Sequence, residues 1–204
     1  MNTNNNSPIK LEIEVKLKLD GIDIIKDKLL NLGFCILVPF AYERNTIFDD
    51  AKKSLKEKRI VLRIRNSNGQ KTLTLKLPPL DSENSEVYKV KQEVEADLKY
   101  AKKNEVFELF NKLDLKPFFK YEKFREIYQS PDKLSIVTID VTPVGNYMEI
   151  ESTPEEIDRW AAQLGFAQSD YITDSYYTLF LKAKKKGNHM LWAPGKRPKL
   201  FNPE

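Results

Sequence analysis

The sequence predicts an α+β domain dominated by antiparallel sheet, closed into a barrel with a charged interior and covered outside by flanking helices. Three observations predict it. Lys10 to Leu19 alternates strictly: Glu12, Glu14, Lys16 and Lys18 point one way, and Leu11, Ile13, Val15, Leu17 and Leu19 the other, which is the period of a strand. Further segments alternate in the same way and are joined by turn signals, giving roughly eight strands in all. The polar faces of these strands carry mostly charge, at i, i+2 spacing, while the opposite faces are mostly apolar.

The elements follow in order. Met1 to Pro8 is polar and Asn-rich, with nothing to bury, and is expected to be disordered. After the first strand, about Ile9 to Leu19, Asp20 reads as an N-cap. Ile22, Ile24, Ile25, Leu29, Leu30 and Leu32 then follow at helical spacing up to Gly33. Phe34 to Asp49 reads as extended, interrupted at Pro39, and Asp50 to Lys58 as a charged connection. Arg59 to Arg65 and Lys71 to Leu77 form a hairpin across Asn66-Ser67-Asn68-Gly69, since Asn-Gly supplies the positive φ values of a tight turn. Leu80 to Ser85 reads as a polar loop, Val87 to Leu98 as a strand, and Tyr100 to Leu113 as a helix with Val106, Leu109, Phe110 and Leu113 on its core side. Leu115 to Gln129, Leu134 to Val141 and Tyr147 to Glu151 complete the strands, with turns at Ser130–Lys133 and Pro143–Asn146. Thr153-Pro154-Glu155-Glu156 is a capping box that opens a helix to about Leu164, closed by Gly165. A short helix spans Ser175 to Lys185. The basic, Pro-containing tail, residues 184–204, is expected to be flexible or loosely docked.

Size and composition bound the function. The 204 residues suffice for one domain, placed here at residues 9–183. The 34 basic and 30 acidic groups nearly balance, which argues against a surface that coats nucleic acid. No stretch approaches 18 apolar residues, so no membrane span or signal peptide is read, and a reducing cytoplasm is the expected location. The lone Cys35 excludes an internal disulfide and reads as a small buried hydrophobe; Trp160 reads as core packing. The lone His189 leaves any metal site to oxygen ligands.

The charges then decide between two sheets. Glu12, Glu14 and Lys16 share one face; Arg63 and Arg65 another; Lys76 stands beside threonines; Lys91, Glu93 and Glu95 share the next; Lys123 and Arg125, Asp140, and Glu149 with Glu151 follow. A solvated sheet would mix Lys, Glu and Thr with frequent Ser, Gln and Asn. Paired arginines and paired carboxylates instead suit a wet barrel interior that holds a ligand of both signs. A divalent metal on a polyphosphate is such a ligand: carboxylates take Mg²⁺ or Mn²⁺, and Arg and Lys take phosphate oxygens.

Glu12-Ile13-Glu14-Val15-Lys16 resembles the ExExK signature of the triphosphate tunnel metalloenzymes, the CYTH superfamily. That superfamily includes class IV adenylate cyclases, thiamine triphosphatases and inorganic triphosphatases. The resemblance continues through Leu62-Arg63-Ile64-Arg65, Thr74-Leu75-Lys76, Glu93-Val94-Glu95, Lys123-Phe124-Arg125, Asp140 and Glu149-Ile150-Glu151, over about residues 9 to 183. It implies a closed eight-stranded antiparallel tunnel that binds triphosphates with Mg²⁺ or Mn²⁺. By position it implies Glu12, Glu14, Glu149 and Glu151 as metal ligands, assisted by Asp140. It implies Lys16, Arg63, Arg65, Lys76, Lys91, Lys123 and Arg125 as the phosphate cradle, and Glu93 and Glu95 for positioning water or a second metal. Some members use a lysine near the C-terminus, for which Lys182 is the nearest candidate. The implied activity is triphosphate hydrolysis, with adenylate cyclase as the alternative and a non-catalytic polyphosphate-binding module as a third reading. Both acidic pairs argue against that module, since pure anion binding has no need of them. The implied partner is a small molecule carrying a triphosphate; a homodimer is left open.

Overall fold

The computed structural model describes residues 9–79, 86–101 and 105–200; the N-terminal residues 1–8 and the loop expected at 80–85 lie outside them. The elements are β1 (Lys10–Leu19), α1 (Asp23–Asn31), β2 (Cys35–Asp49), α2 (Ser54–Glu57), β3 (Val61–Ser67), β4 (Gln70–Leu77), β5 (Lys89–Asp97) and α3 (Glu105–Lys112). They continue with β6 (Lys116–Gln129), β7 (Ile136–Thr142), β8 (Gly145–Glu151), α4 (Pro154–Leu164), a 3₁₀ turn (Gln168–Asp170), α5 (Tyr176–Lys182) and β9 (His189–Met190). The strand order is β2-β3-β4-β5-β1-β8-β7-β6, and β2 pairs with β6 to close the ring. All eight pairings are antiparallel. Closure removes the free edges that an open sheet would present.

The outward faces of β1, β7 and β8 make the main core. Val15, Leu17, Val137, Ile139, Met148 and Ile150 are fully buried beneath α1 and α4. The helices contribute Ile25 and Leu29 from α1, and Ile157, Trp160, Ala161 and Leu164 from α4. Each buried Val, Leu, Ile or Met side chain here contributes about 1.5–3 kcal/mol of transfer free energy. Trp160 packs edge-on against Phe34 at 4.7 Å and donates its indole N–H to Ser135. Thr153 caps α4 by accepting from the Glu156 N–H, and Gly165 ends the helix at φ 96°. The Glu156 carboxylate turns to Arg159, so only the Thr153 half of the box forms.

Several expectations are corrected. β1 stays paired to β8 through Leu19, so the chain turns at Asp20–Ile22 and α1 starts at Asp23 with no side-chain cap. β2 continues through Pro39: register shifts just before it, between Ile36 and Val38, and across it, between Val38 and Ala41, accommodate its missing N–H. The connection after Asp49 contains the short α2, whose first N–H groups bond to the Asp49 and Asp50 carboxylates. On α3 only Phe110 is buried, against Phe48; Leu109 and Leu113 face outward. Cys35 is exposed, at the end of β2 outside the main core. The tail lies along β6. Because β7 pairs with β6 only from Phe124 onward, β9 takes the edge beside Lys120 and Tyr121. Met190 is buried, Trp192 packs on Phe124, and Arg197 pairs with the buried Glu122. No helix among the described residues is long and apolar enough to cross a membrane.

Candidate active site in the barrel interior

Strand alternation and register bring the predicted charges to one enclosed space. A cavity of about 300 Å³ runs inside the barrel, lined by Glu12, Glu14, Lys16, Arg63, Arg65, Lys76, Lys91, Glu93, Glu95, Lys123, Arg125, Glu149 and Glu151. Two predicted residues are not on its wall. Asp140 lies behind it, fully buried, accepting from Lys123 at 2.9 Å, from the Arg125 guanidinium and from the Tyr176 hydroxyl. Its oxygens are engaged by these donors, so it stands behind the Lys123 and Arg125 cations of the β6 wall. Lys182 is 66% exposed and pairs with Asp174. Tyr176 faces the cavity, whereas Lys182, six residues further along α5, does not line it.

The interior has two unlike walls. On β1 and β8, Glu14 lies directly opposite Glu151, and Lys16 opposite Glu149. Each carboxylate there holds a base: Glu12 accepts from Lys76 at 2.6 Å, Glu14 from Lys89, Glu149 from Arg125 with Lys16 at 2.7 Å, and Glu151 from Lys10. Burial would push the Glu14 carboxyl up, but Lys89, with Lys16 and Lys76 behind it, holds it down at about 2. Glu12 goes the other way: burial and the neighbouring Glu14 raise it against the pull of Lys76.

The opposite wall, on β2, β3 and β6, is basic. Arg63, Arg65, Lys123 and Arg125 gather around one buried acid, Glu43, which lies 3.5 Å from Arg65 and 3.8 Å from Lys123. Burial would raise the Glu43 carboxyl; those four cations, Arg65 foremost, bring it to about 2. Glu93 sits between the walls, 3.3 Å from Lys76 and 3.9 Å from Arg63, and Glu95 accepts from Thr74 at 2.9 Å. Lys91 donates to the Arg59 carbonyl at 2.8 Å, and burial together with Lys89 and Arg59 lowers its ammonium to about 8.

Several contributors were not singled out as site residues. Glu43 and Asn45 come from β2, whose period-two series Glu43, Asn45, Ile47, Asp49 is a legible signal. Lys89 and Tyr121 lie on strand faces already recognised as polar. Tyr176 comes from α5, where helical spacing gives no hint of the barrel. Its ring lies 4.8 Å from the Lys16 ammonium and 5.1 Å from that of Lys123. Glu43 Oε2, Asn45 Nδ2 and Arg63 Nε are buried without a protein hydrogen bond.

The donor set fits a hard divalent cation. Glu12, Glu14, Glu149 and Glu151 offer only carboxylate oxygens, from adjacent positions on two paired strands. Among the described residues no three acidic, His or Cys groups already form a metal cluster. The reason is local, because each carboxylate is held by its own ammonium or guanidinium.

A closed antiparallel barrel, helix-covered outside and lined inside by an acidic wall facing a basic one, defines a charged tunnel of the CYTH type. The CYTH domain family matches residues 10–176, and the chain belongs to that family. It is 28% identical over 148 residues to a Methanocaldococcus jannaschii protein that bears the name putative adenylate cyclase, a match over 72% of this chain and 80% of that one. Among solved structures, the PH1012 protein of Pyrococcus horikoshii superposes with a TM-score of 0.66 at 26% identity, over 82% of this chain and 98% of that one. A Hippeastrum protein, titled a putative adenylyl cyclase with a dominant triphosphatase activity, shares the fold at a TM-score of 0.56 and 18% identity, over 84% and 95% of the two chains.

Proposed function

We propose that the chain hydrolyses a triphosphate substrate in this tunnel with the help of Mg²⁺ or Mn²⁺. One observation carries the reading: within a single cavity, four neighbouring carboxylates on β1 and β8 face a cradle of arginines and lysines on β3 and β6. Arg63, Arg65, Lys123 and Arg125 bind the phosphate oxygens, and Lys16, Lys76 and Lys91 complete the cradle around the chain of phosphates. Glu12, Glu14, Glu149 and Glu151 hold the cation. When bound, it neutralises phosphate charge and polarises the attacking water. Glu93 and Glu95 orient that water, Glu93 being within reach of both Lys76 and Arg63. Asp140 and Glu43 position the cradle, the first through Lys123 and Arg125 and the second through Arg65 and Lys123. Phosphoryl transfer asks little more of a protein than this positioning and neutralisation.

The name carried by the M. jannaschii relative supports a second reading, attack by the ribose 3′-hydroxyl of ATP on the α-phosphorus with release of pyrophosphate. The same cradle serves either reaction, and the two differ in which phosphorus lies beside the nucleophile. Incubation with tripolyphosphate, ATP and thiamine triphosphate, each with Mg²⁺ or Mn²⁺, separates them by product. Phosphate release is expected; cyclic AMP with pyrophosphate would establish the cyclase, and no metal-dependent product would reject both.

A further inference from the structure

The barrel interior changes character where α5 packs against it. Phe119, Tyr121, Tyr147, Tyr176 and Phe180 are buried there and pack into one cluster. Their rings form a connected series, with centres 5.7 Å apart for Phe119–Tyr121 and for Tyr121–Tyr176, 5.9 Å for Tyr147–Tyr176 and 5.5 Å for Phe119–Phe180. Two of these rings reach the cradle. Tyr121 accepts from Arg63 at 3.5 Å, and Tyr176 donates to Asp140, which in turn holds Lys123 and Arg125. The Tyr176 ring also lies 4.8 Å from the Lys16 ammonium and 5.1 Å from that of Lys123.

The sixth member of that cluster comes from the tail. β6 pairs with β2 along its length but with β7 only from Phe124 onward, so residues 116–123 keep one edge for another neighbour. β9 takes it: the Lys120 N–H donates to the Asn188 carbonyl at 2.9 Å, and Met190 lies in register with Tyr121. Met190 is 1% exposed and seated in the cluster. A thioether on three rotatable bonds fits an irregular space between rings and gains from sulfur–aromatic contact. The family match stops at residue 176, so it assigns no role to β9. Other tail contacts lie elsewhere: Trp192 packs on Phe124 in the main core, and Arg197 reaches Glu122. Among the described tail residues, Met190 is thus the one that bears on the aromatic cluster. We propose that Met190 is a positioning residue of the reaction: it fixes Tyr121 and Tyr176, and through them Arg63, Lys123 and Arg125. The inference rests on the tunnel reading above and adds to it a control from outside the barrel.

The test measures kcat and KM for tripolyphosphate with Mg²⁺, and the melting temperature, on variants of the intact chain. Met190→Ala leaves every cradle cation in place, so binding should survive, with KM changed less than about threefold. The loosened tyrosines should misalign those cations, and kcat should fall about tenfold. Met190→Leu, which nearly conserves volume, should bring kcat back to within about threefold of the unaltered protein. Trp192→Ala is the stability control: it should lower the melting temperature by a similar amount with kcat changed less than about twofold. Should Met190→Ala not fold, Met190→Val removes less and carries the same test, with kcat at least about threefold down at an unchanged KM. A normal kcat in a Met190 variant whose melting temperature has dropped would overturn the inference and leave Met190 a packing residue. An equal loss of kcat in Trp192→Ala would overturn it too, and both results leave the tunnel reading intact. If the unaltered protein forms no metal-dependent product from tripolyphosphate, the tunnel reading falls and takes this inference with it.

Discussion

At the scale of single residues, Glu43 shows how the basic wall is held together. Four cations, two on β3 and two on β6, flank β2 from either side and would repel one another without a buried acid among them. Its carboxyl lies near 2 in the folded chain against an ordinary value of 4.5. A depressed folded pKa contributes stability that is present above the unfolded value and is lost as pH falls toward the folded one. The melting temperature should therefore drop steeply between about pH 4.5 and 2, and Glu43→Gln should flatten part of that slope while lowering stability at pH 7. An acid limb identical in both proteins would count against the role. Arg125 is the complementary case, since it bonds to both Asp140 and Glu149. Arg125→Ala should cost about 3–5 kcal/mol of stability without added triphosphate in a denaturant titration, because it strips a partner from two buried carboxylates. Arg65→Ala should cost less, its contact with Glu43 being longer at 3.5 Å. The triphosphate-induced rise in melting temperature should shrink in both variants.

At the scale of elements, the docked tail is the part that composition hid. Lys184-Lys185-Lys186 and the prolines beyond them resemble a solvated end, yet Met190 and Trp192 seat the chain against β6. Glu122 is buried under Tyr42, the Trp192 N–H and Arg197. Deleting residues 187–204 would leave that carboxylate with Tyr42 alone, and the melting temperature should fall by about 5–10 °C, as expected for a loss of about 2–3 kcal/mol in a domain of this size. An unchanged melt would mean that the tail adds nothing. Strands and the tunnel charges were legible because their period of two survives in the sequence, and the ordered series from Glu12 to Glu151 fixed which faces converge. What was not legible came from contacts distant in sequence. Tyr176 reaches Asp140 across 36 residues, α2 is set by the Asp49 carboxylate, and the outward turn of Leu109 and Leu113 depends on where α3 meets Phe48.

At the scale of the whole molecule, the proposed function makes the interior a site of charge exchange. The four carboxylates proposed to hold the metal are each paired with a lysine or an arginine, and on that reading a dication displaces these bases as it binds. The displaced bases then face the phosphates, so metal and triphosphate should bind with positive coupling, each tightening the other by the same factor. Calorimetry should show Mg²⁺ affinity rising at least about tenfold when tripolyphosphate is present. Lys89→Met, which frees Glu14, should raise Mg²⁺ affinity without tripolyphosphate and reduce the coupling; independent binding of the two ligands would reject the idea. The ring itself has a kinetic consequence. Seven of its eight seams join strands that are close in sequence or join β1 to later ones, whereas the β2–β6 seam ties Cys35–Asp49 to Lys116–Gln129 and shuts the circle. Until that seam forms, two long strands stand open, the interior charges stay hydrated, and most of the loop entropy has been spent without reward. The slow phase of refolding should thus be the shutting of this seam, a topological gate that a newly made chain passes once and during which the unpaired β2 and β6 are its points of aggregation.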